Sequence, residues 1–127
     1  KAIIMAGGEG SRLRPLTCTI PKPMVKLCGR PVSEYILDLH LTQLTDAVFT
    51  LRYLGSQIED HFDARRYKGI NLDFSYEDTP LGTAGCVKKA AELWELKNGE
   101  NFIVISGDAM CDFNLSAALS YHIEKGA

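Results

Sequence analysis

The stretch KAIIMAGGEGSRLRPL, residues 1–16, decides the fold. Its opening residues are apolar, β-branched and bounded by glycines, which predicts a short buried strand. Glycines after a buried strand let the backbone come close to a ligand, and their N–H groups can form a concavity that binds an anion. Arg12 and Arg14 could add positive charge. From this stretch alone, an anion-binding loop and a glycine-rich turn with solvated arginines are equal interpretations.

Two familiar phosphate-binding motifs do not fit this loop. A P-loop needs a Lys-Ser or Lys-Thr pair after its glycines, and none is present. A dinucleotide fingerprint needs a third glycine where Leu13 stands, and Pro15 then bars the helix that should follow. Residues 12–31 instead predict a long irregular loop with several prolines, a kind of segment that often carries function in a compact domain.

Strand and helix patterns alternate along the rest of the chain. This order predicts βαβ units and therefore an α/β fold in three layers, with a mostly parallel sheet covered by helices on both sides. The last strand is continuous enough in apolar residues to predict burial on both faces. Ser56 is a candidate N-cap. The predicted strands are residues 1–6, 46–54, 70–77 and 101–108, and the predicted helices are residues 30–44, 55–67, 83–96 and 114–127, the last capped by Asn114 or Ser116.

Ligands of such sheets bind beyond the carboxyl ends of the strands, where three segments of unusual composition meet. They are the glycine loop, DTPLGTAG (residues 78–85) and GDAMCD (residues 107–112). At the far end of the glycine loop, Lys22 lies between Pro21 and Pro23. Prolines restrict the backbone, so this lysine is held on a stiff segment, which favours a role in binding a charge.

Two of these segments offer further candidate residues. Asp108 follows a buried strand, where a carboxylate can hold Mg²⁺ against a nucleotide phosphate; from this residue alone, the capping of a turn is the stronger interpretation. Asp112 is a weaker candidate. The small residues of GTAG (residues 82–85) would let a ribose or a flat ring lie close to the backbone. The alternative is a helix start with Thr83 as its N-cap.

Length and composition exclude several classes of protein. The chain has 127 residues, which predicts a single domain, and its formal net charge of -2 argues against a general nucleic-acid binder. No apolar stretch is long enough to span a bilayer, and no signal peptide is recognisable. The cysteines lack the spacing of a zinc site, which favours reduced thiols and a cytoplasmic protein: Cys18, Cys28, Cys86 and Cys111.

Four motifs together resemble the sugar-nucleotidyltransferases, and among them the mannose-1-phosphate guanylyltransferases and related NDP-sugar synthases. They are GGEGSRLRPLT, PKPMV, PLGTAG and SGDAMCDFNL, in this order. The resemblance extends over residues 1–127 and implies a Rossmann-like fold of the nucleotide-diphospho-sugar transferase type. Each motif alone is weak, whereas the ordered set is specific.

The resemblance also implies roles for individual residues. Arg12 would steady the departing pyrophosphate, and Lys22 would contact phosphate as the second catalytic residue. Glu77 would read the base, and Asp108 would bind the cofactor Mg²⁺. The residues that would hold the nucleotide's phosphates or pack against its nucleoside are Gly7, Gly8, Gly10, Ser11, Gly82 and Thr83.

The family's enzymes are much longer than this chain, so residues 1–127 look like the N-terminal, nucleotide-binding half of a truncated catalytic domain. The implied reaction transfers GMP from GTP to a sugar 1-phosphate, with mannose 1-phosphate favoured. The implied partners are the two substrates, with self-association or a missing C-terminal half, and without nucleic acid or membrane. One rival is a nucleotide-binding or regulatory module without turnover. The other, a dehydrogenase-type dinucleotide binder, is disfavoured by the broken fingerprint.

Overall fold

A five-stranded sheet with helices against both faces organises the chain. The computed structural model describes residues 1–40, 44–94, 100–112 and 114–127. The strands are β1 (Ala2–Met5), β2 (Lys26–Leu27), β3 (Arg30–Pro31), β4 (Asp46–Leu51), β5 (Arg66–Tyr67), β6 (Ile70–Tyr76) and β7 (Ile103–Ser106). The α-helices are α1 (Val32–His40), α2 (Gly55–His61), α3 (Gly82–Glu92) and α4 (Leu115–Lys125).

The sheet has the strand order β5-β6-β4-β1-β7. The pairs β6–β4, β4–β1 and β1–β7 are parallel, and β5 alone pairs antiparallel, with β6. Lys68 and Gly69 join β5 to β6 in a two-residue turn, with φ values of 45° and 98°, because such hairpins favour turns with positive φ at both positions. The prediction of a mostly parallel sheet is confirmed.

Alternating side chains of the central strands supply two cores. On one face Phe49 of β4 stacks on Phe62 at 5.6 Å and packs with Ile36 of α1 and Ile58 of α2. On the other face Ile3 and Val48 pack with Ala90 of α3, together with the stripe Val87, Ala91 and Trp94. Each large side chain buried in this way contributes roughly 1.5–3 kcal/mol. The predicted three-layer α/β class is confirmed.

The prediction that the last strand is buried on both faces is wrong. β7 is an edge strand in the described part of the chain, and Val104 is 43% exposed. Val104 pairs with Ile3 and therefore shares the sheet face that α3 covers. Because α3 packs over β1, β4 and β6, that cover ends before it reaches β7.

Helix boundaries also differ from the predicted ones: Arg30–Pro31 of the predicted helix 30–44 form β3, and the predicted helix 55–67 differs in its cap and its end. Ser56 does not cap α2, because the helix begins at Gly55, after Leu54 in a left-handed conformation. A Cβ at Gly55 would lie 2.8 Å from the Leu51 Cβ, so close packing against β4 explains the glycine. The predicted helix 55–67 ends at His61, since the chain turns into the β5–β6 hairpin. Asn114 caps α4 as expected and accepts from the Ala117 N–H at 3.0 Å. The ends of the predicted helices 30–44 and 83–96 fall partly on residues 41–43 and 95–99, outside the described residues.

Candidate functional site

A cavity of about 550 Å³ opens at the carboxyl edge of the sheet. The loops that follow β1, β4, β6 and β7 form its walls, together with the 3₁₀ turn that begins at Lys22. Every residue predicted for the site lines it: Gly7, Gly8, Gly10, Ser11, Arg12, Lys22, Glu77, Gly82, Thr83 and Asp108. Among the described residues, neither Arg14 nor Asp112 lines it. The three predicted segments therefore meet in one place.

Strand register puts four residues in a row along this cavity. Met5 of β1 is level with Ser106 of β7 and Thr50 of β4, and Leu51 of β4 is level with Tyr76 of β6. Continuing each strand by one or two residues along this register places four residues side by side: Asp108, Gly7, Arg52 and Glu77. Neighbouring strands lie about 4.8 Å apart, so Asp108 and Glu77 are separated by three intervals, about 14 Å. These positions define the Asp108 end and the Glu77 end of the cavity.

At the Asp108 end, the carboxylate already has two partners. Lys22 Nζ contacts one carboxylate oxygen of Asp108, and Ser106 Oγ donates to the other at 2.5 Å. These hydrogen bonds, with that from Lys22 the stronger influence, hold the pKa of Asp108 below its ordinary value. Pro21 and Pro23 on either side of Lys22 are buried, which fixes the segment that carries the lysine. Asp108 is therefore ionised and balanced by a cation.

A buried threonine holds the glycine loop in shape. Thr17 is fully buried, and its hydroxyl donates to the Gly10 carbonyl oxygen at 2.7 Å. Tyr53 in turn donates to the Thr17 carbonyl oxygen at 3.0 Å. Gly10 has a φ of 61°, a conformation that favours glycine. Residues 12–31 are thus a series of short 3₁₀ turns followed by the antiparallel hairpin β2–β3. Thr17 is a supporting residue that the sequence analysis missed.

At the Glu77 end, the two carboxylate oxygens have different surroundings. Oε2 accepts from the Leu81 N–H at 3.1 Å, while Oε1 lies 3.1 Å from the position a Cβ on Gly7 would take. Gly82 begins α3 with a φ of 68°. Thr83 lies inside that helix, so the alternative role as its N-cap is wrong, although its place at the cavity stands.

The donors at the Asp108 end fit a magnesium ion best together with a nucleotide. Mg²⁺ is commonly held by one or two carboxylates together with phosphate oxygens and waters, and Asp108 supplies one carboxylate. Within the described ranges, no group of three or more His, Cys, Asp or Glu side chains could hold a metal by itself. The residues present therefore match a phosphate-assisted metal site.

Other features bear on the remaining expectations. The four cysteines are free, and the buried Cys86 of α3 lines the cavity. Across the described segments, no helix combines the length and the apolar character that crossing a membrane requires.

The fold and the cavity define a Rossmann-like α/β protein whose candidate site lies at the carboxyl edge of its sheet. The family model described as nucleotidyl transferase matches residues 1–127, so the chain belongs to this family. The chain is 37% identical over 128 residues to the mannose-1-phosphate guanylyltransferase catalytic subunit beta of Danio rerio. It is also 37% identical over 138 residues to a UTP–glucose-1-phosphate uridylyltransferase of Synechocystis sp.. These alignments cover 99% and 100% of this chain but 35% of each relative.

A solved structure agrees with the sequence relatives. HddC from Yersinia pseudotuberculosis, complexed with GMP-PN, superposes with a TM-score of 0.78 at 30% identity. The match covers 97% of this chain and 54% of that one. The chain thus spans about a third of the curated relatives and about half of the solved structure. Membership of the sugar-nucleotidyltransferases is confirmed, and the relatives include enzymes named for both guanylyl and uridylyl transfer.

Proposed function

We propose that this chain is the nucleotide-binding half of an enzyme that transfers GMP from GTP to a sugar 1-phosphate, with mannose 1-phosphate as the favoured acceptor. The observation that carries the proposal is one cavity with the Glu77 carboxylate at one end and the Lys22–Asp108 pair about 14 Å away. A nucleotide laid along the strand ends can put its base at the first and its phosphates at the second. The mannose-1-phosphate guanylyltransferase that is 37% identical to this chain supports the choice of acceptor.

The base is selected at Glu77. An ionised carboxylate only accepts hydrogen bonds, and guanine offers two adjacent donors, N1–H and the N2 amine. Uracil and thymine offer one N3–H between two carbonyl oxygens, one of which would face the carboxylate. Mismatched buried polar groups cost roughly 1–3 kcal/mol each. Glu77 therefore favours GTP over UTP and dTTP.

The phosphates lie between the glycine loop and the Asp108 end. The backbone N–H groups of Gly7, Gly8, Gly10 and Ser11 cradle phosphate oxygens. Arg12 steadies the departing pyrophosphate, and Lys22 neutralises phosphate oxygens at the reacting centre. An oxygen of the sugar phosphate attacks the α-phosphorus in line; a new P–O bond forms, the bond to the bridging oxygen breaks, and pyrophosphate carries away the electron pair. The chain's contribution is positioning and charge neutralisation.

Asp108 would hold Mg²⁺, with phosphate oxygens as the other ligands. When bound, the ion supplies charge neutralisation and polarisation of the α-phosphate. Lys22 contacts the same carboxylate, so the ion and the lysine would compete for Asp108. A lysine released from Asp108 would be able to contact the phosphate oxygens.

The test is a titration of GTP, UTP and dTTP, each with Mg²⁺, against the native chain and Glu77→Gln. We expect the native chain to prefer GTP by about tenfold, which corresponds to 1.4 kcal/mol. Glu77→Gln should reverse or abolish that ranking, because a glutamine can donate to a pyrimidine oxygen. Asp78→Asn is the matched control: it removes the same charge from an exposed neighbour outside the cavity lining. Equal binding of the three nucleotides by the native chain, or a ranking that survives Glu77→Gln, would contradict the role of Glu77.

Turnover is a separate expectation. The resemblance implies that much of the sugar pocket and a second metal-binding carboxylate lie outside residues 1–127, and residues that act as a unit fail together. Within the described residues, the outer edge of β7 also offers unpaired backbone groups to another strand, from further sequence or a second copy. We expect these residues alone to bind GTP and release little or no pyrophosphate. Full turnover by a monodisperse monomer, measured as pyrophosphate release, would contradict this expectation.

A further inference from the structure

Arg52 is a charged residue of the cavity that the sequence analysis did not select. It follows β4 directly and lines the cavity, with a side chain that is 27% exposed. In the strand register it stands between Gly7 and Glu77. Its Cβ lies 3.4 Å from the position a Cβ on Gly7 would take, and Glu77 Oε1 lies 3.1 Å from that same position. Arg52 and Glu77 therefore border one spot from neighbouring strands.

The place of Arg52 along the sheet assigns it to the base rather than to the phosphates. It is one strand from Glu77 and two strands, about 10 Å, from Asp108. The cavity lining already includes two other cations, Arg12 and Lys22, and Lys22 contacts Asp108. The Arg52 side chain starts beside Glu77, and its guanidinium contacts Glu9 across the glycine loop. A turn of this long side chain would bring the guanidinium to the edge of the base next to the one that Glu77 contacts.

We propose that Arg52 is a specificity-determining residue that donates to O6 and N7 of guanine, while Glu77 accepts from N1–H and the N2 amine. This inference rests on the proposed function. The four atoms follow one another along the guanine edge, so a carboxylate and a guanidinium on adjacent strands can read them side by side. Arginine paired with O6 and N7 is the commonest specific contact to guanine in nucleic-acid recognition. Adenine carries an amine donor in place of O6 and an acceptor in place of N1–H, so it opposes both side chains.

The only ion pair of Arg52 within the described part of the chain is a long one. Its Nη2 lies 3.4 Å from Glu9 Oε1, and Glu9, which is 46% exposed, also pairs with Arg14 at 3.6 Å. Exposed pairs of this kind contribute about 0–1 kcal/mol. A guanidinium has five N–H donors in a planar fork, so the contact with Glu9 leaves donors for a base.

The experiment compares GTP with 7-deaza-GTP, which lacks the N7 acceptor, on the native chain and on Arg52→Met. The native chain should bind GTP about tenfold more tightly than 7-deaza-GTP. Arg52→Met should bind GTP more weakly and should no longer distinguish the two nucleotides. UTP binding should change little, because uracil has no N7 acceptor for Arg52 to lose. Calorimetric titration in the presence of Mg²⁺ measures all of these affinities.

Two control variants separate this role from simple support of the glycine loop. Glu9→Gln removes the loop partner of Arg52, and Arg14→Met removes the other cation of Glu9; both should keep the tenfold preference for GTP over 7-deaza-GTP. If Arg52 only holds the loop, Arg52→Met and Glu9→Gln will weaken all nucleotides alike and leave the ratio of GTP to 7-deaza-GTP unchanged, which overturns the inference. If the native chain shows no preference for GTP over UTP, the proposed function fails first. A native preference for GTP over UTP without one over 7-deaza-GTP overturns the role of Arg52 alone.

Discussion

The two ends of the cavity handle charge in opposite ways. At the Asp108 end, Lys22 and Asp108 neutralise each other, and Ser106 adds a hydrogen bond. At the Glu77 end, Glu77 and Arg52 form no ion pair with one another in the described part of the chain, although Glu77 Oε1 and the Arg52 Cβ border the same spot. We therefore expect a charged ligand to compete for Asp108 at one end, whereas Glu77 and Arg52 at the other end are not neutralised by each other.

The largest expected effect is a loss of stability when a Cβ is added to the backbone at the Asp108 end. In Gly107→Ala, the new Cβ would lie 2.7 Å from the Met5 carbonyl oxygen, which is backbone and cannot turn aside. We expect the free energy of unfolding to fall by about 3 kcal/mol, as for overpacked cores. Gly8→Ala is the control, because no atom lies within 4 Å of its added Cβ. Chemical denaturation measures both variants, and equal stability of the two would refute close packing of β7 on β1.

The next effect tests the competition for Asp108. Lys22→Met should weaken GTP binding in the presence of Mg²⁺ by about tenfold to a hundredfold, because a hydrogen bond to a charged group contributes roughly 1.5–3 kcal/mol. Without nucleotide, the same variant should bind divalent ions more tightly, because Asp108 loses its competing cation. Asp108→Asn should weaken both the binding of GTP with Mg²⁺ and the binding of divalent ions without nucleotide.

Titration calorimetry with MgCl₂ alone and with GTP measures the two effects of Lys22→Met separately. Lys26→Met removes a charge from exposed β2, outside the cavity lining, and should change neither affinity. Weaker binding of the divalent ion by Lys22→Met without nucleotide would show that Lys22 assists the carboxylate and does not compete for it.

A smaller effect is expected at the Glu77 end. In Gly7→Ala the nearest atom to the added Cβ is Glu77 Oε1, the tip of a flexible side chain, at 3.1 Å. The carboxylate can move by a few tenths of an ångström, so we expect a stability loss of about 1 kcal/mol or less. The displaced carboxylate should lower the preference for GTP over UTP several-fold. A large loss of stability with the base ranking intact would mean that the Glu77 end is as rigid as the Asp108 end.

The smallest effect concerns pH. The pKa of Asp108 is lowered in the folded chain, so its ionised form contributes stability that is present above its ordinary value of 3.8 and lost as the pH falls through the lowered value. Asp108→Asn should therefore be less stable than the native chain at pH 7, by under about 1 kcal/mol. That difference should shrink below pH 3.8. Thermal unfolding at pH 7 and at a pH below 3.8 measures the difference in stability. A difference that stays constant or widens in acid would contradict the lowered pKa of Asp108.

Much of the fold followed from local patterns, and the misses share a physical cause. The alternation of apolar strands with amphipathic helices predicted the parallel sheet, since each element carries its own periodicity. The β2–β3 and β5–β6 hairpins were missed. Each turns through a residue followed by glycine, Cys28–Gly29 and Lys68–Gly69, with positive φ at both positions. A glycine at the second position of a two-residue turn between short strand-like segments is the signal that could have found them. The exposure of β7 could not be read locally, because it depends on how far α3 extends across the sheet.

The sequence by itself determined the class of fold, the family and the residues that meet in the cavity, because glycines, prolines and a strand-end aspartate act through local backbone geometry and their order along the chain. The tertiary structure decided how those residues are paired. Lys22 and Asp108 are 86 positions apart, and no spacing predicts that they neutralise each other. Arg52 has no motif around it, and its place beside Glu77 comes from the register of β4 with β6. Register depends on the packing of whole strands, so only the folded sheet could align them.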